Sequence, residues 1–99
     1  MRRGEVWRYQ GISRARPVLV VSCDELNDAE APIVLDVTSF SPQGAVALLT
    51  VRVGDELGGY ARCRTISFAD STRFTELLGT VPGPTMEQVD MALRAALSL

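Results

Sequence analysis

Histidine and lysine are both absent from this chain of 99 residues. Without histidine, the side chain that most readily exchanges protons near neutral pH is missing, so any catalysis falls to Arg, Tyr, Ser, Thr, Asp or Glu. Only two cysteines occur, Cys23 and Cys63, in no CxxC pairing. With no imidazole to complete a ligand set, tetrahedral zinc chemistry has no support, and both are expected as reduced, structural thiols. No apolar run approaches the roughly 20 residues that span a bilayer, and Met1-Arg2-Arg3-Gly4-Glu5 leads into no signal-peptide core, so a cytoplasmic protein without membrane contact is expected. GxxxxGK[ST], GxGxxG and GxSxG are missing too, which removes support for nucleotide hydrolysis, dinucleotide binding and the usual serine-hydrolase layout.

What is present balances a folded domain: 46% hydrophobic and 22% charged residues, with a net charge of −2. The length suits one domain over 1–99 with one modest core. A slightly negative net charge argues against coating nucleic acid by bulk electrostatics, but the charge is segregated. Arg2, Arg3, Arg8, Arg14 and Arg16 face only Glu5 in the first sixteen residues, whereas Asp24, Glu25, Asp28 and Glu30 cluster shortly after. That every basic residue is arginine suits bidentate phosphate recognition and equally a codon-biased genome.

Gly4-Glu5-Val6-Trp7-Arg8-Tyr9 alternates, Val6 on one face and Trp7 and Tyr9 on the other, and predicts a first strand. Pro17–Val21 is a continuous, valine-rich apolar run that predicts a strand buried on both faces. Pro32–Thr38 predicts a third strand, and Ser41-Pro42-Gln43-Gly44 has the pattern of a type I turn leading by a hairpin into a fourth, Val46–Val53. A fifth is expected over Tyr60–Ser67, then a short helical turn at Ser71-Thr72-Arg73 and a strand through Leu77 and Leu78. Met86, Val89, Leu93 and Leu97 recur at helical spacing behind Gly83-Pro84, with Thr85 and Gln88 as a capping box. The expected class is α+β, mainly β: a small, strongly curved antiparallel sheet or SH3-like barrel closed by a C-terminal helix.

Composition and periodicity name no activity, but five blocks in order do. Arg3-Gly4-Glu5-Val6-Trp7, Arg16-Pro17-Val18-Leu19-Val20-Val21-Ser22, Val37-Thr38-Ser39, Arg64-Thr65-Ile66 and the closing Met86-x-x-Val89-Asp90-x-Ala92-Leu93 together resemble the signature blocks of the MazF/PemK toxins. The resemblance implies a MazF/CcdB-like fold, a homodimer, a cognate MazE-like antitoxin, and cleavage of single-stranded RNA without metal or cofactor. It also implies that Arg16 and Thr38 are the functional pair. Ser39 beside Thr38 is a candidate assistant, and Ser13, Arg14, Arg62 and Arg64 are candidate RNA contacts; Arg62 and Arg64, on alternate strand positions, share a face and either contact phosphates or pair with acids.

The chemistry agrees with those residue types. Attack of a ribose 2′-OH on the adjacent phosphate builds charge on a phosphorane, to which a guanidinium donates two hydrogen bonds and a threonine hydroxyl one more. Arginine stays protonated to very high pH, so Arg16 is read as an electrostatic stabiliser rather than a base. Tyr9, Tyr60 and Asp36 are candidates for proton transfer. Read without the resemblance, Arg16 is a solvated charge flanking a strand, Thr38 a strand-end hydroxyl, and Trp7 a core or interface residue.

Two features depart from the family pattern. The long loop between the first two strands is cut to Gln10-Gly11-Ile12-Ser13-Arg14-Ala15, and Arg62 stands where glutamine is usual. A CcdB-like gyrase poison shares the expected fold, yet those chains carry a tryptophan near the C-terminus, whereas Trp7 is the only one here. A catalytically silent small-barrel module is the third reading.

Overall fold

A computed structural model describes residues 1–99. Seven strands run β1 (Glu5–Gln10), β2 (Ala15–Val20), β3 (Ile33–Thr38), β4 (Thr50–Gly54), β5 (Gly59–Arg62), β6 (Ser67–Phe68) and β7 (Phe74–Thr80), with helices α1 (Asp24–Asp28) and α2 (Gly83–Leu97). They form one antiparallel sheet in the order β4-β5-β3-β2-β1-β7, with β6 pairing on β3. The sheet stays open, with β4 and β7 at its edges, so the curved-sheet form of the expectation holds rather than a closed barrel.

Alternation along the strands divides the sheet into two faces. Val6 pairs with Leu19 and Trp7 with Val18, so consecutive residues of β1 and β2 point opposite ways. One face carries Val6, Leu19, Leu35, Val37, Val51 and Ala61, all buried together with Met86, Val89 and Ala92 of α2. The other carries a smaller cluster of Tyr9, Val18, Val20 and Val34. There Phe74 packs edge-on to Tyr9 at 5.5 Å and tilted to Trp7 at 5.8 Å. The Trp7 indole is half-buried and donates to Glu5 Oε1 at 3.0 Å.

Three sequence expectations are corrected. No hairpin forms at Ser41–Gly44: Gly44, with φ +67°, opens a 3-10 helix over Gly44–Leu49, and β4 begins only at Thr50. β4 turns instead into β5 through Gly58 and Gly59, both at positive φ, and β5 takes the place beside β3. A Cβ on Gly59 would sit 2.7 Å from the Thr38 carbonyl oxygen, so that pairing requires glycine.

The fifth strand also ends early, at Arg62, because the chain turns. Thr65 Oγ1 donates to the Arg62 carbonyl at 2.7 Å and accepts from Asp36 N–H at 2.9 Å, which places Arg64 in the turn rather than on the strand. Finally, Thr85 and Gln88 form no capping box. The helix begins earlier, at Gly83 behind Pro82, and no side chain caps it; Pro84, lacking an N–H, removes one of the first-turn donors a cap would serve. Met86 and Val89 are buried as the spacing predicts, Ala92 joins them, Leu93 packs at the margin and Leu97 is exposed.

Candidate functional site

Because α2 covers one face of the sheet, the polar side chains of the strands collect on the other. Tyr9 and Arg16 are directly paired across β1 and β2, and Thr38 and Tyr60 across β3 and β5. The β2–β3 ladder runs from Val20–Val34 to Val18–Asp36 and ends there, and Arg16 and Thr38 lie two residues beyond its last pair on the same face. Four adjacent strands thus contribute a row Tyr9, Arg16, Thr38, Tyr60, continued on β4 by Arg52, the partner of Tyr60.

Arg16 is held from two sides. Its Nε donates to Asp36 Oδ1 at 3.1 Å, and its guanidinium carbon lies 5.3 Å from the centroid of the Tyr9 ring. A Cβ on Gly11 would come within 2.8 Å of Arg16 Nη1, so glycine in the short β1–β2 turn makes room for the guanidinium. With Nε engaged, the terminal nitrogens remain for an anion, in the fork geometry that suits phosphate. Asp36, half-buried between Arg16 and the β3–β5 side of the site, orients the arginine. The Tyr9 hydroxyl accepts from Asp70 N–H at 3.0 Å, which makes this ring a platform beneath Arg16. Asp70 in turn has its carboxyl held below the ordinary carboxylate range by hydrogen bonds from Thr72, with Arg73 adding a smaller effect.

Two depressions flank the row. The first, about 480 Å³, is lined by Tyr9, Gly11, Ile12, Ser13, Arg16 and Arg73. In the second, about 410 Å³, Thr38 is joined by Phe40, Ser41, Gln43, Arg62 and Arg64 among others. Arg16 and Thr38 therefore share a sheet face but open into neighbouring hollows. Thr38 Oγ1 accepts from Phe40 N–H at 3.3 Å, and the Tyr60 hydroxyl lies 3.4 Å from Ser41 Oγ. Arg62 and Arg64, although not on alternate strand positions, meet in the same hollow. Ser13 lines the first depression, Arg14 is exposed at the tip of the β1–β2 hairpin, and Ser39 is exposed beyond β3 and lines neither hollow.

Charge pairing separates these arginines from the others. Arg2, Arg3, Arg8, Arg16, Arg52 and Arg73 each have a carboxylate partner. Of the four without one, Arg14, Arg62 and Arg64 belong to this face or its rim, and only Arg94, in the last turn of α2, lies elsewhere. Sequence reasoning missed Arg73, Phe40 and Gln43. Arg73 reaches the site only because β7 pairs with β1, where its Nη1 donates to the Gln10 carbonyl at 3.1 Å.

A profile of the PemK-like, MazF-like toxins of type II toxin–antitoxin systems matches residues 2–97. The chain belongs to that family. This toxin is similar in structure to an endoribonuclease bound to its cognate antitoxin from a mycobacterial species, at a TM-score of 0.89 and 27% identity, over 100% of this chain and 96% of that one. A mycobacterial endoribonuclease aligns at 0.86 and 26% identity, over 100% of this chain and 92% of the other. The MazE–MazF complex of Deinococcus radiodurans aligns at 0.86 with 19% identity, over 100% and 96%, a likeness of fold. No curated protein sequence matches the toxin. The family match does not favour a gyrase poison. No helix is long and apolar enough to cross a membrane.

Proposed function

We propose that this endoribonuclease toxin holds and cuts single-stranded RNA, including the unpaired loops of tRNA and rRNA, on the face built around Arg16 and Thr38, without a metal ion. The observation that carries the reading is the row of Tyr9, Arg16, Thr38 and Tyr60 on the face α2 leaves open, bordered by the unpaired Arg14, Arg62 and Arg64. In this reading the 2′-oxygen bonds to phosphorus as the P–O5′ bond breaks. The 2′ proton passes to a base and the 5′-oxygen leaves protonated, giving 2′,3′-cyclic phosphate and 5′-OH ends. Arg16, oriented by Asp36 and Tyr9, stabilises the dianionic phosphorane through its free terminal nitrogens. Thr38 holds a phosphoryl oxygen or the attacking hydroxyl. The four-residue turn between β1 and β2 leaves the face open above, which suits a structured RNA presenting a loop.

The same reading makes the protein a growth-inhibiting homodimer in the cytoplasm, neutralised by a MazE-like antitoxin whose acidic, partly disordered tail is drawn to the arginine-rich face. Neighbours solved with MazE or with a cognate antitoxin support the antitoxin partner. The deciding experiment incubates purified toxin with total RNA in EDTA and maps new 5′-OH ends for wild type, Arg16→Ala and Thr38→Ala. Sequence-selective ends from wild type, lost in both variants, are expected. Equal cleavage by all three overturns the site, and no cleavage by wild type overturns the activity.

A further inference from the structure

Two phenylalanines are left out of the core, Phe40 and Phe68, and of the two only Phe40 lines a hollow of the open face. Phe40 is 81% exposed, whereas Trp7 and Tyr9 each pack against Phe74. It stands instead at the lip of the 410 Å³ hollow, facing Arg62 and Arg64 and their unpaired charges. Its backbone N–H is the donor to Thr38 Oγ1, so its position is tied to the hydroxyl assigned to the reacting phosphate. On the same rim Ser41 holds its hydroxyl against Tyr60, while the Gln43 amide keeps both its donor and its acceptor free. An exposed ring, flanking cations for a backbone, and an edge-reading amide are together the elements of a site for an unstacked base.

We propose that this hollow is a nucleobase subsite: Phe40 stacks one base next to the scissile phosphate, Gln43 reads its edge, and Arg62 and Arg64 hold the neighbouring phosphates. The inference rests on the RNA-cleaving reading and adds to it the element that selects sequence. Stacking serves because every base has an apolar face, and discrimination then comes from the amide, whose unpaired donor or acceptor penalises the wrong edge. The excursion Ser39–Leu49, which replaces the expected hairpin, is what carries Phe40 out over the hollow.

The test uses an oligoribonucleotide bearing one mapped cleavage site, and a series of copies each lacking a single base near that site. Base–aromatic stacking is worth about 1–3 kcal/mol, so Phe40→Ala is expected to slow cleavage of the intact RNA at least about fivefold. Wild type is expected to lose a similar factor when one particular base is removed, and Phe40→Ala to lose nothing more on that RNA. Phe40→Trp should keep the wild-type rate, and Gln43→Ala should broaden the base preference at that position alone. Multiplicative losses for ring and base at every position, or full activity of Phe40→Ala on intact RNA, overturn the subsite while leaving Arg16-dependent cleavage standing. Failure of wild type to cut any RNA overturns both.

Discussion

The two faces of this sheet are made by the same strands and do opposite work. Under α2, thirteen buried residues form a continuous apolar core, none of them charged. On the open face only four residues are buried together, and beyond them lie Arg16, Asp36, Thr38, Tyr60 and Arg62. Burial of apolar area stabilises the first face, while the second gives up that burial and keeps its cations open to solvent. Period-two alternation lets one strand serve both, since Leu35 and Val37 point into the core and Asp36 and Thr38 out of it.

Breaking the helix-side face carries the largest expected effect. Leu19→Ala or Leu35→Ala, each removing a fully buried side chain, should cost about 2–5 kcal/mol in urea unfolding, a large share of the stability of a domain this size. Arg16→Ala should do the reverse. Its ion pair with Asp36 is partly exposed, so stability should fall by less than about 1 kcal/mol, while cleavage falls about 10²–10³-fold. Arg16→Lys should restore little, because an ammonium lacks the fork that binds Asp36 and phosphate together. A stability loss that accounted for the lost cleavage would collapse the distinction between the faces.

Smaller effects sharpen the comparison within the open face. Arg62→Ala and Arg64→Ala should each weaken RNA binding across sequences and lower the salt slope of binding by about one, read from titrations over a range of ionic strength. An unchanged slope would remove them from the phosphate path.

The smallest effect belongs to the cysteines. Cys63 is buried in the core, and burial pushes its thiol up to about 11, whereas Cys23 is exposed. Iodoacetamide at mildly alkaline pH should therefore modify Cys23 and spare Cys63 until the chain unfolds. Because the folded thiol is the weaker acid, its contribution to stability is intact below pH 9 and declines as pH rises from about 9 toward 11, a fall that Cys63→Ala should lack.

Much of this was legible in the chain because it depends on local pattern. Val6 against Trp7 and Tyr9 showed the two faces of β1, and Met86 and Val89 showed the buried stripe of α2. The order of blocks from Arg3 to Leu93 marked the family and drew attention to Arg16 and Thr38. The hairpin at Ser41–Gly44 misled because its turn residues are locally adequate, and only competition between pairings decides. β5, released by Gly58 and Gly59, fills the edge of β3 that β4 was expected to take. Arg73 and Phe40 were illegible for a related reason, since each enters the site through a contact distant in sequence or by being left exposed.

By itself, then, the sequence determined the alternating strands, the terminal helix, the arginine-only charge and the family, all properties carried by spacing and residue type. The tertiary structure decided which charges are free. Asp36 engages Arg16 while Arg14, Arg62 and Arg64 find no carboxylate, and whether two side chains neutralise one another is set by strand register and chain crossing, distances that no local pattern encodes.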